Sequence, residues 1–192
     1  MGGGLSRFDR VNGVFTNYRH DPQNPASIAS DNVGAIYEDA NGKLWLGTGG
    51  FGAEGAGLDC FDPLTERFTH YRHDPNDPAS LSSDTISAIQ PAGGGKLWVA
   101  TGGFGLPGAG LNLFDPAMGT AAHFVHDEDD PDSLGSNSIL SSYRDSQGQT
   151  WFGTWGGGLD LLRRNGDGFA FVHHRHDPYR ADSIGADIVW PI

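Results

Sequence analysis

The sequence predicts an all-β fold assembled from repeats, and three observations carry that expectation. Residue types recur at a fixed spacing of 53: Leu5, Leu58 and Leu111; Phe8, Phe61 and Phe114; His20, His73 and His126; Ser27, Ser80 and Ser133; Trp45, Trp98 and Trp151. Thirty glycines and eleven prolines among 192 residues favour many turns over long helices. The segments between the turns alternate apolar and polar side chains, the pattern of half-buried strands.

One unit justifies its elements in order. Asp84–Ile89 alternates and reads as a first strand. Lys96–Thr101 is apolar and β-branched, follows the turn signal Gly93-Gly94-Gly95, and reads as a second. Gly110–Asp115, closed by Pro116, reads as a third, and Ala121–His126 as a fourth. Four strands in about fifty residues, with a tryptophan in the second strand of each copy, is the pattern of a β-propeller blade. The register continues to the end of the chain through Leu159, His176, Ser183 and Asp187 after one shortened loop.

The motifs Asp39-x-x-Gly42-x-Leu44-Trp45-x-Gly47-Thr48 and Trp151-Phe-Gly-Thr154-x-Gly-Gly-Gly-Leu159, with the repeated Tyr-Arg-His-Asp-Pro-x-x-Pro-x-Ser, resemble the two-component regulator propeller repeat. The resemblance implies a ligand-sensing propeller at the extracytoplasmic end of a bacterial sensor kinase or related receptor. It implies a periplasmic or extracytoplasmic location in the full-length protein, although Met1–Phe8 lacks the basic and apolar stretches of a secretory signal. Family propellers carry seven or more blades followed by a membrane segment and an output domain, which this sequence does not contain.

The fold class expected is therefore an incomplete β-propeller: three full four-stranded blades plus two N-terminal strands and one C-terminal strand. The boundaries are a partial blade at 1–30, blades at 31–83, 84–136 and 137–186, and the first strand of a next blade at 187–192. The chain reads as a fragment of a longer protein, whose missing blades, or a second copy, would cover its open ends.

Composition narrows the function. A formal charge of −12 opposes binding to nucleic-acid phosphates. No apolar run approaches the roughly 20 residues of a membrane span, so no membrane contact is expected of this segment. Cys60 is the only cysteine, which excludes an intrachain disulfide and a cysteine metal cage. No cofactor or metal is expected. The four repeated histidines stand one per blade, a pattern suited to a hydrogen bond within each loop rather than a shared ion. The acidic run Asp127–Asp132 offers oxygen ligands for Ca²⁺ but lacks EF-hand spacing, and reads as a solvated loop.

In a four-stranded meander, the loops joining strands two and three share a face with the loops leading to the next blade. Both types are long here, and long loops on a rigid scaffold are the default place for recognition. The candidate ligand-binding residues on that face are Phe51, Glu54, Phe104, Pro107, Trp155 and Arg72. The aromatics offer stacking surfaces for a small molecule or the rings of an oligosaccharide, with packing between blades as the alternative role. Glu54, Pro107 and Trp155 mark places where the repeats differ. Arg19, Arg72 and Arg175 are expected to bond an aspartate or carbonyl of the adjacent loop, or else an acidic ligand. The reading is a non-catalytic sensor segment with no catalytic residues. A protein-binding propeller scaffold and a glycan-processing propeller enzyme are the alternatives.

Overall fold

The computed structural model describes residues 2–50, 52–166 and 168–190. Among these residues fourteen strands fall into one two-stranded and three four-stranded antiparallel sheets. The N-terminal hairpin pairs β1 (Leu5–Asp9) with β2 (Val14–Tyr18). The first full sheet contains β3 (Val33–Glu38), β4 (Leu44–Thr48), β5 (Leu58–Asp62) and β6 (Arg67–Tyr71). The second contains β7 (Ile86–Gly93), β8 (Lys96–Thr101), β9 (Leu111–Asp115) and β10 (Thr120–Phe124). The third contains β11 (Ile139–Arg144), β12 (Thr150–Thr154), β13 (Leu159–Asn165) and β14 (Gly168–His174). Each sheet is a meander in chain order, and the first strands of neighbouring sheets, β3 with β7 and β7 with β11, lie side by side. This is the all-β, incomplete propeller that the repeat predicts.

After the third blade the chain follows the path of another first strand. Ile188 bridges Trp155, and the Val189 N–H donates to the Thr154 carbonyl at 3.1 Å. Val189 lies over Gly153 as Ile86 of the second blade lies over Gly47. Only this bridge marks the expected C-terminal strand among the described residues; Pro191 and Ile192 fall outside them.

The core lies between sheets. Trp45, Leu58 and Cys60 of the first blade pack with Leu97, Val99 and Phe114 of the second. Trp98, Ala100 and Leu111 pack with Ile139, Phe152 and Phe171 of the third. At the first junction Phe114 sits edge-on to both Trp45 and Tyr71, at 5.8 and 4.8 Å between ring centres. At the second junction Phe169 fills the equivalent groove against Trp98 and Phe124. The repeated tryptophan is thus an inter-blade packing residue.

Two strands differ at both ends from the sequence expectation. The second blade's first strand starts at Ile86, because the Asp84 carboxylate accepts the His73 backbone N–H and its carbonyl accepts the Gly57 N–H. It then runs on to Gly93. In the first and third blades Asp39 and Asp145 end this strand by accepting backbone N–H groups of the following turn, from Asn41 and Lys43 and from Gln147 and Gln149. The second blade has Ala92 there, and Gly94 and Gly95, at φ 61° and 78°, close a tight hairpin instead. The fourth strand spans Thr120–Phe124, not Ala121–His126, since His126 is drawn into the loop beyond.

Candidate ligand-binding face

The loops after the second strand of each blade are held in place by buried threonines. The hydroxyls of Thr48, Thr101 and Thr154 donate to the carbonyls of Gly57, Gly110 and Gly158 at 2.7–2.9 Å and accept backbone N–H groups from Ala56, Ala109 and Gly157. The same loops bond the inter-blade connections, as where the Gly57 N–H meets the Asp84 carbonyl and the Gly110 N–H meets the Asn137 carbonyl. Both long loop types therefore sit on one face, as expected.

The inter-blade loops are braced by repeated local bonds. Each repeated histidine places Nδ1 on a carbonyl eight residues ahead: His20 on Ile28, His73 on Leu81, His126 on Leu134 and His176 on Ile184, at 2.5–2.9 Å. The predicted hydrogen bond within each loop is what forms. The acidic run closes on itself, with Asp127 and Asp130 accepting the N–H groups of Asp129 and Asp132. Among the described residues no group of three or more His, Cys, Asp or Glu stands close enough to hold a metal.

Two buried acids anchor the same loops, and the sequence reading did not single them out. Asp59 accepts the Ala29 N–H at 2.7 Å and meets His70 Nδ1 at 2.6 Å, while His70 Nε2 faces the Pro25 carbonyl at 3.0 Å. Asp160 repeats this with Gly135, His173 and Pro131. Burial pushes both carboxyls above the usual aspartate range, against the downward pull of these donors. In the second blade Asn112 takes the place and accepts the Ser82 N–H without a charge. The repeat contained the signal: Asp59, Asn112 and Asp160 each stand polar between two apolar residues at the start of a third strand.

The structure brings two candidate residues together. Phe104 of one blade's loop and Trp155 of the next meet edge-to-face, with ring centres 5.2 Å apart, and stay 57% and 38% exposed. Phe104, but not Trp155, belongs to the wall of a cleft of roughly 200 Å³ lined also by Gly34, Gly49, Gly50, Ile86, Ser87, Gly103, Leu140 and Trp190. Gly34, Ser87 and Leu140 are equivalent positions of three successive first strands, so the cleft lies along their line of contact. Among the described residues no charged side chain lines it.

The other candidates lie elsewhere. Glu54, Pro107 and Arg72 are exposed and outside the cleft wall, and Phe51 falls outside the described residues. The expected bond from Arg19, Arg72 or Arg175 to a neighbouring loop does not form among the described residues. Asp31, Asp84 and Asp187 of these loops each accept a backbone N–H instead, from His20, His73 and His176. Arg72 and Arg175 act instead through space, their charges lowering the pKa of Asp59 and Asp160 against the effect of burial. Cys60 is buried, and burial pushes its thiol up to about 11.

The chain matches the two-component regulator propeller family at residues 27–50 and 133–156. The matched segments hold the first two strands of two blades, with the paired Asp39–Trp45 and Asp145–Trp151, whose indole N–H groups donate to the carboxylates at 3.0 and 2.9 Å. Among solved structures it resembles the extracellular domain of BT3049 from B. thetaiotaomicron, described as a hybrid two component system. That likeness has 23% identity and a TM-score of 0.68 over 91% of this chain and 22% of the other. It also resembles the extracellular domain of BT4673 from the same organism, at 17% identity and a TM-score of 0.70 over 98% and 22%. A third likeness is to PorZ of Porphyromonas gingivalis, a surface component of the type-IX secretion system, at 18% identity and 0.62 over 89% and 24%. The chain thus spans under a quarter of the length of each of these structures. No curated protein matches it.

Proposed function

We propose that this chain is a non-catalytic, ligand-sensing propeller segment of an extracytoplasmic two-component-type receptor, and that its long-loop face receives a small molecule or oligosaccharide. The Phe104–Trp155 pair carries the reading. Two aromatic rings from adjacent blades, both partly exposed and one of them in the wall of an uncharged cleft, offer a stacking edge to the apolar face of a ring. The matched family segments and the likeness to extracellular domains of two-component systems support the location and the receptor context. A ligand bridging two blades would bias how they pack, and that bias is what a receptor would transmit to its output. Glu54, Pro107 and Arg72 are proposed for the outer part of the same face, and Phe51 stays a candidate on its sequence position alone.

Calorimetric titration of the intact receptor against a panel of oligosaccharides tests this. Binding that Trp155→Ala abolishes supports it, and heat-silent titrations across the panel contradict it. A second reading, a scaffold for protein partners, draws on the likeness to PorZ. Exposed aromatic and aliphatic side chains at both ends, Phe8 and Phe15 at one and Tyr143 and Val172 at the other, suit it. Co-purification of a defined protein with no small-molecule requirement would favour that reading.

A further inference from the structure

The repeat lacks a carboxylate in one blade, and the indole that it would serve is left without an acceptor. In the first and third blades the indole N–H groups of Trp45 and Trp151 donate to Asp39 and Asp145. The second blade holds Ala92 at that position, 53 residues from either aspartate. Among the described residues no other acceptor meets Trp98 Nε1. Trp98 is 2% exposed, yet this nitrogen is not sealed: Ser87 Oγ is the one side-chain polar atom both shut off from solvent and unpaired among the described residues. Trp98 and Ala92 stand together in the wall of a second cleft of about 200 Å³, at the turns joining first to second strands and thus opposite the long loops. Buried indole N–H groups usually find a partner, so one that opens on a cleft marks a place for an acceptor.

The rest of the wall says which kind of acceptor fits. Arg144 of β11 and Arg163 and Arg164 of β13 line the cleft, and no acidic side chain lines it among the described residues. None of the three enters an ion pair among those residues. Arg164 lies over the Phe169 ring at 5.1 Å, a contact that leaves its N–H groups open. Arg163 donates to the Gln149 amide oxygen at 3.1 Å, and the amide nitrogen meets Asp145, whose carboxylate also takes the Trp151 indole and two backbone N–H groups. Three of the chain's twelve basic residues thus gather where the repeat omits its carboxylate, although the net charge is −12. We infer that this cleft binds the carboxylate of a small organic acid, which takes the place of the missing aspartate. One oxygen accepts the Trp98 indole N–H, the arginines supply the opposite charge, and the apolar body of the acid lies against Phe169. The site is independent of the Phe104–Trp155 reading.

The test is NMR titration of the 192-residue chain with sodium acetate and sodium benzoate, and with benzamide as the neutral match, read at the indole N–H resonances. The expected result is a saturable shift of the Trp98 indole from the two carboxylates alone, with the Trp45 and Trp151 indoles unmoved. Arg144→Gln and Arg163→Gln should each weaken benzoate binding about tenfold, the scale of one lost hydrogen bond to a charged group. Ala92→Asp should supply the acceptor from within the chain: the Trp98 indole shifts without ligand, and benzoate no longer moves it. Trp155→Ala should leave benzoate binding intact, and its loss there would place benzoate on the loop face and overturn the site. An equal response to benzamide contradicts the role of charge. Benzoate affinity that survives both arginine changes, or survives Ala92→Asp, also overturns the inference, as does a Trp98 indole that neither carboxylate moves.

Discussion

Asp59 and Asn112 occupy the same place in neighbouring blades and accept the same kind of loop N–H, from Ala29 and from Ser82, with and without a charge. The molecule thereby contains its own control. Asp59→Asn should fold with a small loss, because an amide already serves this place one blade on. Asp59→Ala should lose about 3–5 kcal/mol, since it strands His70 and a backbone donor in a buried setting; urea denaturation of both variants measures the difference. The pH dependence has a definite sign. Burial raises the Asp59 carboxyl above its ordinary 3.8, so the folded state holds that proton more tightly than the unfolded one. Its contribution to stability is greatest below 3.8 and falls as pH climbs through the raised value. Asp145 behaves oppositely. The Trp151 indole N–H leads the causes that hold its carboxyl below 3.8, so its contribution is present above that value and is lost as pH falls through the lowered one. A Trp151 indole resonance that titrates below pH 3.8 would agree with this, and one that titrates above it would not.

Among elements, the loop after each second strand is set by one threonine and one glycine. Thr101→Val keeps the shape but removes the bonds to the Gly110 carbonyl and the Ala109 N–H, which should cost about 1–3 kcal/mol in chemical denaturation. Gly57 has φ of 93°, and a Cβ would lie 2.2 Å from the Tyr71 carbonyl oxygen. Gly57→Ala should therefore destabilise by more than about 2 kcal/mol, read as a lowered denaturation midpoint. The strands were legible from alternation and period because both report directly on which side chains are buried. Their ends were less so, since they depend on competition for backbone groups. Asp39 stops β3 by capping a turn, and Ala92 at the same place lets β7 continue. The arginines misled for a related reason: a charge repeated in every blade suggests a partner, but the nearby carboxylates serve backbone donors.

At the scale of the whole molecule, the 53-residue period made the blade order legible, while the candidate site was legible only in part. Phe104 stood out as a large residue in a long loop, and Trp155 as one in the shortened loop where the repeats differ. The line of Gly34, Ser87 and Leu140 did not, because nothing in the sequence shows that equivalent positions of adjacent first strands meet along one cleft. Central to the account is that the core forms between blades, so one repeated position has a cost set by its neighbouring blade. Phe61 and Phe114 are 1% exposed against the preceding blade, whereas Phe8, at the same place in the N-terminal hairpin, is 49% exposed. Denaturation of the three alanine variants is the most direct measurement. The account predicts a loss of about 3–5 kcal/mol for Phe61→Ala and Phe114→Ala and under about 1 kcal/mol for Phe8→Ala. Equal losses at all three positions would contradict it, because they would place the core within each blade rather than between them.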